Sequence, residues 1–245
     1  MDERQLRESA RSETCFIFGS GQSLDEIIAA EWQAISRHTT IGFNYFSRSR
    51  FVRVDFHLVA EMACPDVFNP SVWRPVVEEY GRLIEENPFY SDTVLGLQEG
   101  LRALQANRLA SSGAIRSGRK MFRFRRIARG VQRPPTSSLS EGLVHGAGTL
   151  VDCVNLAFIL GFREIVLAGV DLYDRRVFSA PEEGPSSSSG SPLAADPDQP
   201  HLTADAIVDY LGSWGPQLAS RGVRVCVYNP RSLLARVLPI KDRVS

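Results

Sequence analysis

The chain has 245 residues, 43% of them hydrophobic and 23% charged, and its 28 basic and 28 acidic side chains balance to zero. That profile supports one ordinary globular core and supplies no global field to draw the chain to nucleic acid or membrane. Four scattered cysteines without metal-ligand spacing read as buried reduced thiols; the polar start and the lack of any run of eighteen apolar residues give the expectation of a cytoplasmic protein with no secretion signal and no spanning helix.

Phe16-Ile17-Phe18 runs straight into Gly19-Ser20-Gly21-Gln22-Ser23-Leu24. The pattern predicts a buried parallel strand, a tight turn and a helix N-terminus capped by Ser23. Backbone N–H groups gather at such a turn, and the helix dipole favours an anion there. Gly19 and Gly21 let a phosphate approach the backbone, with Ser20 and Ser23 as hydroxyl donors; the same glycines also suit a helix packed tightly on a sheet. Leu24 stands where a dinucleotide fingerprint needs Gly or Ala, and no Lys follows as in a P-loop. Residues 39–44 and 55–61 read as the second and third strands. Asn44 and Glu61 stand at their carboxyl ends, where open α/β sheets hold ligands or where the chain simply turns. Residues 71–110 alternate helical stretches with a short strand at 93–96.

The composition then shifts. Arg116, Arg119, Lys120, Arg123, Arg125, Arg126, Arg129 and Arg133 follow one another without an acid, with Phe122 and Phe124 among them. The stretch reads as a basic excursion over 112–138, either tracking an anionic lipid surface or phosphorylated acceptor or simply solvated. His145-Gly146-Ala147-Gly148-Thr149 leads into a helix over 150–160 stopped by Gly161. Residues 164–173 form the clearest strand, nearly continuous in aliphatics, with Asp171 and Tyr173 emerging at its end. Residues 174–200 hold five prolines and a run of four serines, which suits a lid. His201 follows, then a helix carrying Ile207, Leu211 and Trp214 on one face, a last strand at 222–228 and a closing helix from Asn229. Strands alternating with helices predict an α/β fold: one doubly wound, mainly parallel sheet spanning 1–245.

Four stretches together resemble the bacterial sialyltransferases of glycosyltransferase family 42. Gly19-Ser20-Gly21-Gln22-Ser23-Leu24 is similar to the family's Gly-Asn-Gly-Pro-Ser-Leu, and Phe43-Asn44-Tyr45-Phe46 to its Cys-Asn-Gln-Phe. Leu160-Gly161-Phe162-Arg163-Glu164-Ile165 through Gly169-Val170-Asp171-Leu172-Tyr173 is similar to Leu-Gly-Tyr-Lys-Glu-Ile and Gly-Ile-Asp-Phe-Tyr. Asn229-Pro230-Arg231-Ser232-Leu233-Leu234-Ala235 is similar to Cys-Pro-Asn-Ser-Leu-Leu-Ala. They occur in family order. The resemblance implies a GT-A-like, Rossmann-like nucleotide-binding domain that transfers a nonulosonic acid (sialic acid, Kdo or similar) from its CMP conjugate, with inversion and without metal or other cofactor. Gly19, Ser20, Gly21, Gln22, Ser23 and Asn44 would hold CMP, and Glu61, Thr149 and Asp171 complete the binding set. Tyr173 would donate to the departing phosphate, and His201 would be the general base. Two positions depart from the family: His145-Gly146-Ala147-Gly148-Thr149 stands where it has an arginine, and Val177-Phe178 lies near its second tyrosine. The implied partners are a CMP-activated sugar and a glycan or lipid-linked acceptor. A peripheral contact of residues 116–133 with the inner face of an anionic membrane and a homo-oligomer fit the same reading, and nucleic acid does not. The sequence also resembles a further group, the archaeal-type pterin pyrophosphokinases and the flagellin-modifying accessory proteins, which share the Gly-Ser-Gly-x-Ser-Leu loop and the Gly-x-Asp strand; the competing reading is a Mg²⁺-dependent pterin or nucleotide pyrophosphokinase of that type.

Overall fold

Aliphatic and aromatic runs bounded by polar turns build the centre of the molecule. In the computed structural model, residues 1–59, 64, 66–100, 104–129, 132–174, 176–178 and 203–244 are described, with residues 105, 128 and 129 described by their backbone alone. The strands are β1 (Thr14–Phe18), β2 (Thr39–Phe43), β3 (Phe56–Val59), β4 (Val94–Gln98), β5 (Met121–Phe124), β6 (Arg126–Arg129), β7 (Leu143–Gly146), β8 (Glu164–Ala168) and β9 (Arg224–Val227). The helices are α1 (Glu3–Glu8), α2 (Ala29–Ile35), α3 (Pro70–Glu85), α4 (Leu104–Ser111), α5 (Thr149–Leu160) and α6 (Ala204–Ala219). Seven strands form one sheet in the order β5-β4-β3-β2-β1-β8-β9, and every pairing in it is parallel. The mainly parallel, doubly wound α/β sheet expected from the sequence is the observed one.

Alternation along the strands sorts side chains onto two faces. Cys15 and Ile17 point to one apolar cluster, with Ile165, Leu167 and the buried sides of α1, α5 and α6. Phe16 and Phe18 point to the other, with Val166, Ala168, α2, α3 and α4. The chain winds outward from β1 through β2, β3, β4 and β5, then returns to place β8 on the other side of β1. The order therefore reverses between β1 and β8, and the crevice outside their carboxyl ends is where such folds bind ligands.

The basic stretch does not form one solvated face. Phe122 and Phe124 of β5 are in the core, while Arg119 is buried on Glu85, 2.9 Å away. After Phe124 the same chain leaves the main sheet and, as β6, pairs with β7; the Arg125 carbonyl takes the Leu143 amide at 2.8 Å. Alternating Arg and Phe on an edge strand hides two core positions among charges. Further on, the Trp214 indole donates to the Arg133 carbonyl at 2.7 Å and clamps the stretch to α6. Among the described residues no helix is long and apolar enough to cross a membrane.

Candidate active site

The glycine-rich loop after β1 is filled first by the protein itself. The Gly19 amide donates to the Ala168 carbonyl at 2.9 Å and the Gly21 amide to the Gly169 carbonyl at 2.8 Å. Asp171 supplies the anion at the turn: its carboxylate accepts the Ser23 amide at 2.9 Å, the Ser23 hydroxyl, and the Asn229 side-chain amide at 2.8 Å. A Cβ on Gly21 would collide with that carboxylate, so glycine here serves a close approach of two loops. Ser23 is not an α-helical cap. It lies inside a 3₁₀ helix (Gln22–Glu26) whose N-cap is Gly21, and α2 starts only at Ala29. The hydroxyl that would cap is spent on Asp171.

The strand predicted over 164–173 ends at Ala168. Gly169 takes φ 63° and Leu172 φ 64°, and a left-handed leucine is a strained conformation that these surroundings must hold. The bend turns Asp171 inward, 3% exposed, and leaves Tyr173 half-buried. Ser232, just past β9, braces it by donating to the Val170 carbonyl at 2.5 Å. Burial, reinforced by the Asp171 charge, pushes the Tyr173 phenol up from its ordinary value while the Asn229 side chain hydrogen-bonds to it. The phenol therefore stays a proton donor at neutral pH.

Asn44 ends β2 at φ 50° and opens a 3₁₀ helix (Asn44–Arg48). Its Oδ1 is buried without a hydrogen-bond partner among the described residues. Such an atom is costly to leave unmet. Residues 176–178 cross the same region. The Phe178 amide donates to the Ser20 carbonyl at 3.1 Å, and its ring packs 6.1 Å from Phe46 and 5.6 Å from Phe51.

A second polar cluster lies at the start of α5, which packs against β1 and β2 and, because it leads down into β8, begins at the carboxyl edge of the sheet. Gly148, at φ 155° in a region suited to glycine, precedes Thr149. Asp152 is fully buried. Its Oδ2 accepts from the His145 Nδ1–H at 3.0 Å and from Arg126 Nη2 at 2.7 Å, and Arg126 also donates to the Thr149 hydroxyl at 3.0 Å. Burial pushes the Asp152 carboxyl up, against the opposing pull of His145 and Arg126. Sequence reasoning missed this cluster: Arg126 was one charge in a run of eight, and Asp152 one acid in an apolar helix. The His-Gly-x-Gly-Thr turn was its only local sign.

Of the candidate residues, Gly19, Ser20, Gly21, Gln22, Ser23, Asn44, Asp171 and Tyr173 come together around the β1–β8 reversal, with Thr149 on the helix beside it. Glu61 and His201 lie outside the described residues, as do residues 175 and 179–200 of the proposed lid. His57 is a core residue bridging Tyr80 at 2.7 Å and Tyr90 at 3.0 Å, and burial holds it down to about 3. Among the described residues no three His, Cys, Asp or Glu side chains gather as a metal site.

The molecule is thus an α/β protein with a doubly wound parallel sheet, in which the neighbouring strands β2, β1, β8 and β9 end at one edge. Solved structures with a similar fold include a MAf glycosyltransferase from Magnetospirillum magneticum AMB-1, with a TM-score of 0.57 and 16% identity over 98% of this chain and 37% of that one. The monofunctional α-2,3-sialyltransferase Cst-I from Campylobacter jejuni is similar with a TM-score of 0.52 and 16% identity, over 94% of this chain and 81% of its own. The chain spans little more than a third of the first neighbour's length. At these identities the likeness is one of fold. No protein-family model and no curated protein matches the sequence.

Proposed function

We propose that this protein is a glycosyltransferase that takes a nonulosonic acid from its CMP conjugate, inverting and independent of metal. One observation carries the reading. The four stretches that resemble the family 42 sialyltransferases follow four adjacent strands: Gly19–Ser23 after β1, Asn44 after β2, Asp171–Tyr173 around the end of β8, and Asn229–Ser232 after β9. Residues far apart in sequence thus border one crevice. The fold shared with a sialyltransferase and a MAf glycosyltransferase supports the same reading.

Each residue has a role in the proposal. Asn44 Oδ1 accepts a hydrogen bond from the nucleoside and so meets its unmet need. Asp171 holds the β1 and β8 loops in register; it is an anchor rather than a direct ligand. The Tyr173 phenol donates to the phosphate as the glycosidic bond breaks, placing a fixed dipole where negative charge develops. His201 takes the proton of the acceptor hydroxyl as it attacks. The α5 N-terminus, with Thr149, offers a positive dipole to an anionic group of the donor sugar.

A thermal-shift screen with CMP, CDP, CTP, ATP and GTP tests it. CMP in EDTA should raise the melting point, because a ligand at a hundred times its dissociation constant adds about 2.7 kcal/mol. A response to ATP or GTP that needs Mg²⁺, with none to CMP, would favour the pyrophosphokinase.

A further inference from the structure

The turn after β9 holds a cation that the motif resemblance does not explain, since the family pattern there is Cys-Pro-Asn-Ser and this chain has Asn229-Pro230-Arg231-Ser232. The root of Arg231 is fixed. Its amide donates to Asn229 Oδ1 at 3.0 Å, and the same Asn229 side chain donates to Asp171 at 2.8 Å, two residues before Tyr173. Its guanidinium is not fixed in the same way. From Nη2 it reaches Glu26, in the 3₁₀ helix that follows the glycine-rich loop. Arg231 therefore spans the mouth of the crevice from the β9 side to the β1 side.

The Glu26 pair is weak. The side chains are 59% and 48% exposed, and exposed pairs contribute about 1 kcal/mol at most. Arg176, in the segment after β8, differs: its amide, Nε and Nη2 all donate to Asp174, at 3.1, 2.8 and 2.5 Å. Of five N–H groups on Arg231, only Nη2 has a partner among the described residues, leaving most of a planar fork suited to phosphate oxygens. The Arg231 charge opposes the upward push of burial on the Tyr173 phenol.

We propose that Arg231 is a phosphate-binding residue of this crevice. Glu26 is the anion that Arg231 holds in this structure, and the nucleotide phosphate displaces it, received by the guanidinium two loops away from the Gly19–Ser23 turn. The proposal rests on reading the crevice as a nucleotide site, and adds the positive charge that the reading lacked.

Calorimetric titrations of CMP and of cytidine in EDTA, into the wild type, Arg231→Gln and Glu26→Gln, test it. Arg231→Gln should weaken CMP about ten- to a hundredfold, as loss of a charged hydrogen-bond pair does, and leave cytidine unchanged. Glu26→Gln should tighten CMP or leave it as it is. Unchanged CMP affinity in Arg231→Gln overturns the proposal and leaves the CMP reading standing. An equal loss of CMP and cytidine also overturns it, because the substitution would then have acted on the fold. If the wild type binds neither probe, the CMP reading fails by itself, and pyrophosphate becomes the probe. Loss of pyrophosphate binding in Arg231→Gln would keep the anion role, and unchanged binding would end it.

Discussion

Two buried aspartates stand near the carboxyl edge of the sheet, and their surroundings differ. Asp171 is surrounded by neutral donors: an amide N–H, a hydroxyl and a side-chain amide. Asp152 is surrounded by an arginine and a histidine, and burial pushes its carboxyl up. Neutral donors hold a carboxylate in place without depending on the charge state of a partner. The Arg126 charge holds Asp152 only while the carboxylate stays ionised, at a desolvation cost to each. Asp171 thus suits an anchor between loops, and Asp152 suits holding Arg126 and His145 in place.

The largest expected effect comes from breaking the charged cluster. Asp152→Ala removes a buried charge partner of Arg126 and should cost about 3–5 kcal/mol in urea unfolding. Asp171→Ala leaves three donors unsatisfied and should cost about 2–4 kcal/mol, with CMP binding lost in whatever folds. If Asp152→Ala proves the milder, the contrast between the two sites is wrong. Gly21→Val belongs with Asp171, because its side chain would enter the carboxylate's place. It should lower the melting temperature as well as CMP affinity.

The histidines sharpen the comparison next. His201→Ala should cut turnover by at least about a hundredfold with CMP affinity nearly unchanged, the usual range for a positioned base. If His145→Gln carries that loss instead, the proton acceptor is the histidine held by Asp152. A more gradual effect follows pH. Burial holds His57 down to about 3 from an ordinary 6.5, so the unfolded chain binds a proton there that the folded chain refuses. Its contribution is complete above pH 6.5 and falls by up to about 1.4 kcal/mol per unit as pH drops toward 3. His57→Gln should flatten that acid limb. The smallest effect is expected at the surface: Arg123→Gln with Arg125→Gln should shift the unfolding midpoint by less than about 0.5 kcal/mol. A larger shift would make that edge structural.

How far the sequence foretold this depends on distance along the chain. β1, β2, β8 and α5 were legible because their aliphatic runs are local, and Gly161 did stop α5, at φ 89°. The end of β8 was misread because Val170 and Leu172 continue the apolar run while the backbone has already turned at Gly169. β5 was hidden because arginine alternates with core phenylalanines, and β6 because two of its four residues are arginines. The glycines after β1 announced a close approach, but glycine does not say what approaches. The carboxylate that does so lies 148 residues beyond Ser23, and Asp152 and Arg126 likewise meet only through the fold.

The most direct measurement is release of CMP from CMP-activated nonulosonic acids, followed by chromatography in EDTA with and without candidate acceptors. The account predicts CMP release that rises with acceptor and falls at least tenfold in Tyr173→Phe. No release from any such donor, alongside AMP formation from ATP and Mg²⁺ with a pterin or nucleotide acceptor, would contradict it.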